Sequence, residues 1–315
     1  MTAYLIRRVL QSIVVLIGVS IIGFILEHLL PGGPAKAMLG NRATPLAIKT
    51  FNHENGFDKP LVTQYLVYMG HLLQGNLGYS YKLNQPVSQV LAREVPKSVL
   101  LVGSALIFSV IIAIPVGIFQ AVRRNGIVDY AATSISFLLY SMPSFWLGLI
   151  LIIAFAVNTH LFPAQAPQGS TIGQILAHPS GLVLPVATLT LVSFASFSRY
   201  MRSSAIEALA QDWIRTAKAK GLSQRAILFK HMLRNALIPI ATLIGLSLPS
   251  LITAGVVTES VFNFPGTGLD FVTAATTEDF ALLLGIIILV GVLTVLGNLL
   301  ADIAYAVLDP RVRYK

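Results

Sequence analysis

Residues 207–239 read EALAQDWIRTAKAKGLSQRAILFKHMLRNALIP, and this stretch decides the fold of the 315-residue chain. It is basic and amphipathic, and a glycine divides it, whereas the sequence on either side of it is dominated by apolar residues. A basic segment between long apolar runs is typical of a loop that leaves a lipid bilayer on the cytoplasmic side and returns to it. Its strong pattern argues against a plain connector and predicts a surface that grips another protein.

Composition places the rest of the chain in lipid. Of all residues 55% are hydrophobic and only 11% are charged, with a mean hydropathy of +0.76, whereas about a quarter of a soluble domain is charged. Water cannot cover such a composition, so we expect an all-α integral membrane protein. The chain has no cysteine, which excludes a disulfide framework, a thiolate metal site and a cysteine nucleophile.

Six apolar stretches are long enough to cross a bilayer, because a spanning helix needs about 20 mostly apolar residues. They cover roughly residues 9–30, 98–122, 130–158, 181–200, 236–260 and 280–307. Pro143 predicts a kink in the third stretch. A cleaved signal peptide is the alternative for the first stretch, but its apolar run from Val9 to Leu26 is longer than the 7–15 residues of such a peptide, which favours an uncleaved helix.

Lysine and arginine are distributed unevenly among the predicted loops. If the N-terminus is cytoplasmic, 15 of the 22 lie in cytoplasmic segments, and eight of these lie between Arg199 and Arg234. The predicted external loops at 159–180 and 261–279 carry none, and the other seven lie in residues 31–97, a segment too long for the positive-inside rule. The rule predicts both termini in the cytoplasm, and the net charge of +9 reflects this topology rather than a nucleic-acid partner.

The spacing of the spans divides the chain into two parts. Residues 1–97 hold the first helix and a long external segment, and residues 98–315 hold five closely spaced helices with a cytoplasmic loop at about 203–235. The external segment is too long for a plain connection, and LVTQYLVYMGHLLQG at 61–75 has the periodicity of an amphipathic helix. It forms either a cap over the helix ends or a surface for an external partner, and the sequence leaves both open.

Within the cytoplasmic loop, apolar residues recur at the three-to-four spacing of one helix face. They are Ile206, Leu209, Ala210, Trp213, Ile214 and Ala217. Gly221 can end this helix because glycine adopts a positive φ at little cost, and Ser223 is the predicted N-cap of the helix that follows. Such a short helix suits a groove on a soluble partner, and it equally suits the lipid interface; the pattern favours neither.

The segment RTAKAKGLSQRAILFKHML, residues 215–233, resembles the EAA loop in the membrane subunits of bacterial ABC importers. The matches to that motif are Ala217, Gly221 and Leu233, and the departures are Arg215, Thr216, His231 and Arg234. These departures resemble the form found in the peptide/nickel branch of the family. Further resemblances to this branch are RRVLQSIVVLIGVSIIGF with LLPGGPA at the N-terminus, where Gly33 replaces the usual Asp, GFDKPLVTQYLVYMGHLLQGNLGYSY, YSMPSFWLGLILI, ESVFNFPGTGL and AYAVLDPRVRY.

This resemblance covers essentially the whole chain, and it implies a B-type permease with the type I ABC importer fold. It implies a bacterial cytoplasmic membrane, peptide cargo, and as partners a second homologous permease, two ATPase subunits or domains and an external solute-binding protein. The loop would couple to the ATPase through Arg215, Thr216, Ala217, Lys218, Gly221, Leu222 and Arg225. The chain would not be an enzyme, because it has no G-x-x-x-x-G-K-[ST] loop; it would need no cofactor or metal of its own, and ATP and Mg would be bound by the partner ATPases.

Two further questions remain open in the sequence. A stand-alone secondary transporter is the alternative function, although inverted repeats and midplane charges, which such proteins usually show, are not clear here. Glu259 either lines the substrate path or holds the following turn by accepting backbone N–H groups, and the PGTG sequence directly after it favours the turn.

Overall fold

The computed structural model describes residues 2–29, 35–36, 39, 43–247 and 250–308. Gly33 and the cations at 311–315, which the sequence arguments used, lie outside these residues. The chain begins with α1 (Thr2–His28). The external segment then contains α2 (Pro45–Glu54), α3 (Leu61–Leu73) and the antiparallel strands β1 (Tyr79–Ser80) and β2 (Gln85–Pro86). The helices that follow are α4 (Val87–Val122), α5 (Ile127–Ser141), α6 (Ser144–Leu151), α7 (Ile172–Leu176), α8 (Val183–Leu209), α9 (Asp212–Ala219), α10 (Gln224–Ala226), α11 (Leu233–Leu246), α12 (Ser250–Thr253), α13 (Gly255–Phe262), α14 (Thr267–Thr277) and α15 (Phe280–Leu308).

Shorter helical pieces join these elements. A π-helix continues α6 (Ile152–Asn158), a second π-helix connects α10 to α11 (Ile227–Met232), and a 3₁₀ turn leads into α8 (Pro179–Leu182). The amphipathic piece predicted at 61–75 is α3 together with its C-terminal turn.

The described residues contain four helices that are long and apolar enough to cross a membrane. They are Val87–Val122, Pro179–Leu209, Gln224–Leu246 and Phe280–Leu300. The bent pair of α5 and α6 gives a fifth if it is one span, and a shorter apolar stretch, Leu10–Ile25, lies within α1. The prediction of a multi-span helical protein is confirmed, whereas the count of six is not fully matched by these four or five.

Two predicted spans have different shapes from those expected. The third is broken rather than kinked, since α5 and the helix that starts at Ser144 are bent by 106° around Pro143, which has no N–H to continue the helix. The fifth was predicted to reach residue 260, but α11 ends at Leu246. At that end the hydroxyl of Ser247 donates to the carbonyl of Leu243, the kind of side-chain bond that competes with continued helix.

The helices α4 and α8 run side by side in the same direction. Thr190 on α8 donates its hydroxyl to the carbonyl of Ala105 on α4 at 3.3 Å. Farther along, a Cβ added to Gly117 would lie 2.7 Å from the Cβ of Met201. A residue of α8 is therefore level with the residue of α4 whose number is smaller by 84 or 85. Gly117 allows the two helix backbones to approach closely.

The bundle has two chemically different ends. The end with the 123–126 turn and the segment 210–223 is called the basic end, and its core includes Met201, Ile214 and Met232. The opposite end carries residues 43–86, 159–182 and 263–279. These names describe the chain alone and do not depend on which side of a membrane each end faces.

A buried charged cluster lies at the opposite end. The Lys97 ammonium is 2.5 Å from the carboxylate of Glu94 and donates to the carbonyl of Gly169 at 3.1 Å, and only 1% of Lys97 is exposed. Burial, with a further contribution from the charge of Glu94, raises the pKa of Asp270 on α14 to about 6. Sequence reasoning missed this cluster, although the spacing of Glu94 and Lys97 by three residues could have indicated a helical ion pair.

Glu259 holds a turn, as its sequence context indicated. Its Oε2 accepts the backbone N–H groups of Gly268 at 2.7 Å and Leu269 at 3.1 Å, and its side chain is fully buried. These donors belong to the first turn of α14, where a carboxylate satisfies amides that have no partner within the helix. The turn interpretation of Glu259 is confirmed.

Candidate functional site

The candidate site is α9 with the turn that follows it at the basic end. The side chains of Ile214 and Ala217 are buried and pack with Ile227 and Met232 in the core of this end. This apolar face attaches α9 to the bundle, because residues three apart lie on one side of a helix. The position of α9 is therefore fixed by the core beneath it.

A glycine and a serine define the turn after α9. Gly221 has φ +73°, and its N–H donates to the carbonyl of Lys218 at 3.0 Å while that of Leu222 donates to the carbonyl of Ala217 at 3.3 Å. This pair of bonds is the Schellman motif, which ends a helix in a left-handed residue. The hydroxyl of Ser223 then accepts the N–H of Ala226 at 3.3 Å and caps α10. The predicted glycine turn and the predicted serine N-cap are confirmed.

Most side chains predicted to form the site project from the bundle. Arg215, Thr216, Lys218, Gly221, Leu222 and Arg225 are all exposed, whereas Ala217 is buried. Arg215 lies 3.4 Å from Asp212 across one helical turn, and both side chains are largely solvated. Such a surface ion pair contributes little to stability, so these charges remain available to a partner.

The helix predicted across 206–217 is two helices, and this expectation was wrong. The chain leaves α8 after Leu209 and α9 begins at Asp212, so the apolar residues do not share one continuous face. Ala208 is buried while Ala210 is exposed, and Trp213 is 45% exposed beside the buried Ile214. An exposed tryptophan next to exposed cations is a surface suited to binding a protein partner.

An ion pair that sequence reasoning missed supports the basic end. Arg202 on α8 donates through Nε and Nη2 to the two carboxylate oxygens of Asp129 on α5, each at 2.7 Å. Asp129 also accepts the N–H of Asn125 in the 123–126 turn. Two-pronged binding of this kind fixes orientation as well as distance, so the pair connects the turn to the helix that leads into α9.

The described residues contain no group of three or more His, Asp or Glu side chains that could hold a metal ion. The geometry of the basic end is that of a rigidly mounted helix whose outer face is amphipathic. It offers contacts to a partner and does not bring together reacting groups.

Comparison with known proteins assigns the chain to a family. The sequence model for the binding-protein-dependent transport system inner membrane component matches residues 113–314, and the model for the N-terminal part of such membrane components matches residues 1–102. The chain belongs to this family. It is a multi-pass membrane permease, a transport component.

Named relatives of this permease align over its full length. It is 38% identical over 316 residues to the oligopeptide transport system permease protein AppB of Bacillus subtilis, with all of both chains covered. It is 32% identical over 338 residues to the dipeptide transport system permease protein DppB of Escherichia coli, again with all of both chains covered. The probable peptide ABC transporter permease protein y4tP of Sinorhizobium fredii is 38% identical over 314 residues, with the same coverage.

A solved structure shares the fold of this permease. A chain described as inward-facing conformations of the MetNI methionine ABC transporter superimposes with a TM-score of 0.54 at 18% sequence identity. The match covers 70% of the permease and 97% of the solved chain. The predicted type I ABC importer permease fold is therefore confirmed.

Proposed function

We propose that this permease forms half of the translocation pathway of an ATP-driven importer of dipeptides or oligopeptides in a bacterial cytoplasmic membrane. A second homologous permease completes the pathway, an external solute-binding protein delivers the peptide, and two ATPase subunits bind ATP and Mg. The basic end and both termini face the cytoplasm. The names of the full-length relatives support the cargo, and the uneven distribution of Lys and Arg supports the orientation.

The observation that carries the coupling proposal is the two-sided character of α9. Its inner face, through Ile214, is buried in the core, while Trp213, Arg215 and Lys218 are exposed on its outer face. A partner that moves α9 therefore also moves the helices to which this core belongs, since packed cores transmit displacement with little compression. ATP-driven closure of the ATPases is converted in this way into a change of access along the pathway.

Trimming the exposed side chains tests this docking role. Trp213→Ala and Leu222→Ala remove exposed apolar surface without opening a cavity, so the permease should fold normally while co-purification of the ATPases and peptide uptake both fall. Tyr130→Ala is the control, because Tyr130 is an exposed aromatic residue near the same end but on α5. The measurements are recovery of partners from mild detergent and ATP-dependent uptake in proteoliposomes.

Two outcomes would contradict the proposal. Wild-type recovery and uptake with both the Trp213 and the Leu222 variant would exclude α9 and its following turn as the docking surface. Purification of the permease alone, with uptake that continues without ATP, would instead favour a stand-alone secondary transporter.

A further inference from the structure

Arg199 is a cation within a membrane-spanning helix, and the proposed coupling role does not use it. It lies on α8, ten residues before the helix ends at Leu209, and its side chain is exposed on the surface of the chain. The sequence interpretation counted it among the cytoplasmic cations because the fourth span was expected to end at residue 200. Since α8 continues beyond that point, Arg199 belongs to the span itself.

The register between α4 and α8 gives the depth of Arg199. It is level with positions 114–115 of α4, seven or eight residues before that helix ends at Val122. At 1.5 Å per residue this corresponds to roughly 11–12 Å from the basic end. The hydrocarbon layer of a bilayer is about 30 Å thick. With the end of α4 at the edge of that layer, Arg199 lies more than a third of the way across it.

The described part of the chain does not neutralise this charge. Asp129, the buried carboxylate of the neighbouring helix α5, is engaged with Arg202 through both oxygens. No described carboxylate forms an ion pair with Arg199. A guanidinium that faces lipid inside the hydrocarbon layer is costly, by about 3 kcal/mol or more at the centre of the layer. The guanidinium of Arg199 lies over Phe137 and Tyr140, which follow Asp129 along α5 in the direction away from the basic end, so it does not extend toward the nearer surface.

Two aromatic rings of α5 position the guanidinium. Its Cζ lies 4.8 Å from the ring centroid of Phe137 and 5.0 Å from that of Tyr140, and these residues are themselves 51% and 57% exposed. Contact with ring faces leaves the N–H donors of an arginine free for an acceptor. The break between α5 and α6 follows directly after this pair. Irregular backbone at membrane depth is tolerated where it is buried in protein or lines a water-filled cavity, and not where it faces lipid.

We propose that Arg199, Phe137 and Tyr140 form a site on the wall of the substrate pathway that binds the C-terminal carboxylate of a peptide in transit. The site rests on the proposed function as a peptide importer and specifies which group of the cargo the permease recognises. A guanidinium binds a carboxylate through two parallel hydrogen bonds, and every peptide with an unmodified C-terminus carries that group. The two rings offer apolar contact to side chains of any sequence.

Chemical accessibility tests where the site lies. The chain has no cysteine, so Arg199→Cys places a single thiol in this subunit. In the assembled transporter a charged, water-soluble methanethiosulfonate reagent should modify that thiol, and a transported peptide should slow the modification. A thiol that does not react in any state of the transport cycle faces lipid or a protein interface and overturns the proposal.

Carboxylate recognition is tested with pairs of peptides that differ only in a C-terminal carboxylate or carboxamide. For each peptide, kcat/KM is measured for the variant and for the wild type with the same binding protein. The ratio of the two values then excludes any preference of the binding protein for the acid or the amide. Arg199→Gln should lower kcat/KM for the acid about 10- to 100-fold, the loss expected for a charged hydrogen-bonded contact, and change it for the amide by less than about twofold. Arg199→Lys should lie between these values, because lysine keeps the charge and loses the paired donors.

Arg123→Gln is the matched control. Arg123 also lies over an aromatic ring, with its Cζ 4.6 Å from the centroid of Phe119, but it is at the basic end rather than in the membrane. It should change uptake of neither peptide.

The outcomes separate the site from the function. Equal loss for both peptides in Arg199→Gln, as expected if Arg199 binds an anionic lipid or the second permease, overturns the carboxylate site alone. An unchanged preference for the acid overturns it as well. If the wild-type complex transports no peptide at all, the proposed function fails, and the peptide ligand of Arg199 fails with it.

Discussion

Replacing Gly221 tests whether the turn after α9 couples ATPase activity to transport. The residue has φ +73°, and a Cβ placed there meets nothing within 4 Å. A substitution at this position therefore acts through the backbone and not through packing. Asparagine visits the left-handed region most readily among the alternatives, so Gly221→Asn should retain nearly full coupling.

The structure gives the expected order of the other changes. Gly221→Ala should destabilise the turn by about 1–2 kcal/mol, the cost of holding a residue with a Cβ in the left-handed region. Gly221→Pro should destabilise it by about 3 kcal/mol or more, because proline cannot adopt this φ and lacks the N–H that bonds to the carbonyl of Lys218. At about 1.4 kcal/mol per factor of ten, these costs lower the equilibrium constant for forming the native turn by roughly tenfold for alanine and by more than a hundredfold for proline.

Peptides transported per ATP hydrolysed, measured in proteoliposomes, is the direct assay. Gly75 provides the control, since it has φ +77°, open space around its Cβ and the same pair of helix-ending bonds after α3, at the opposite end of the bundle. Gly75→Pro should therefore leave the ratio unchanged. Wild-type coupling in Gly221→Pro, or an equal loss of coupling in Gly75→Pro, would refute the reasoning.

Three further predictions concern the stability of the permease, measured as the thermal unfolding temperature in detergent. Gly117→Ala should lower the free energy of unfolding by roughly 1–3 kcal/mol through overpacking, because the added Cβ would come within 2.7 Å of α8. Gly103→Ala on the same helix should be tolerated, because its added Cβ would have 4.0 Å of clearance. Asp129→Asn should lower the free energy of unfolding by roughly 3 kcal/mol, because it leaves the charge of Arg202 without its carboxylate. Adding Arg202→Met to that variant should restore part of the lost stability. Equal stability of the wild type and both variants would contradict this. The pKa of Asp270 is raised from 3.8 to about 6, so between these pH values the folded protein holds a proton that the unfolded chain releases. The free energy of unfolding should therefore fall as pH rises from about 4 through about 6. Asp270→Asn should flatten this pH dependence, and an unchanged slope in that variant would contradict the prediction.

The coupling surface illustrates what sequence patterns predict well. Gly221 and Ser223 were identified from the sequence because a left-handed helix end and an N-cap are local requirements that few residues satisfy. The break between Leu209 and Asp212 was not foreseen. It depends on how α8 and α9 each pack against the core, and helical periodicity continues through a break of two residues without a signal.

The membrane spans also differ in which of their features the sequence predicted and which depend on packing. Apolar length predicted the approximate position of most membrane helices, because lipid imposes that length on any spanning segment. It did not predict the end of α11 at Leu246 or the 106° bend at Pro143. Hydropathy measures the preference of a segment for lipid, and direction within the bilayer is set by neighbouring helices.

The sequence by itself determined a membrane permease with a basic end, a glycine turn after an amphipathic helix, and membership of its family, because composition, charge asymmetry and local motifs are properties of consecutive residues. Only the tertiary structure decided which charges are satisfied and which remain available. Arg199 and Arg202 are three residues apart and chemically identical, yet Arg202 binds Asp129 while Arg199 lies against Phe137 and Tyr140. That difference arises from the rotation of α8 against α5, which no local pattern encodes.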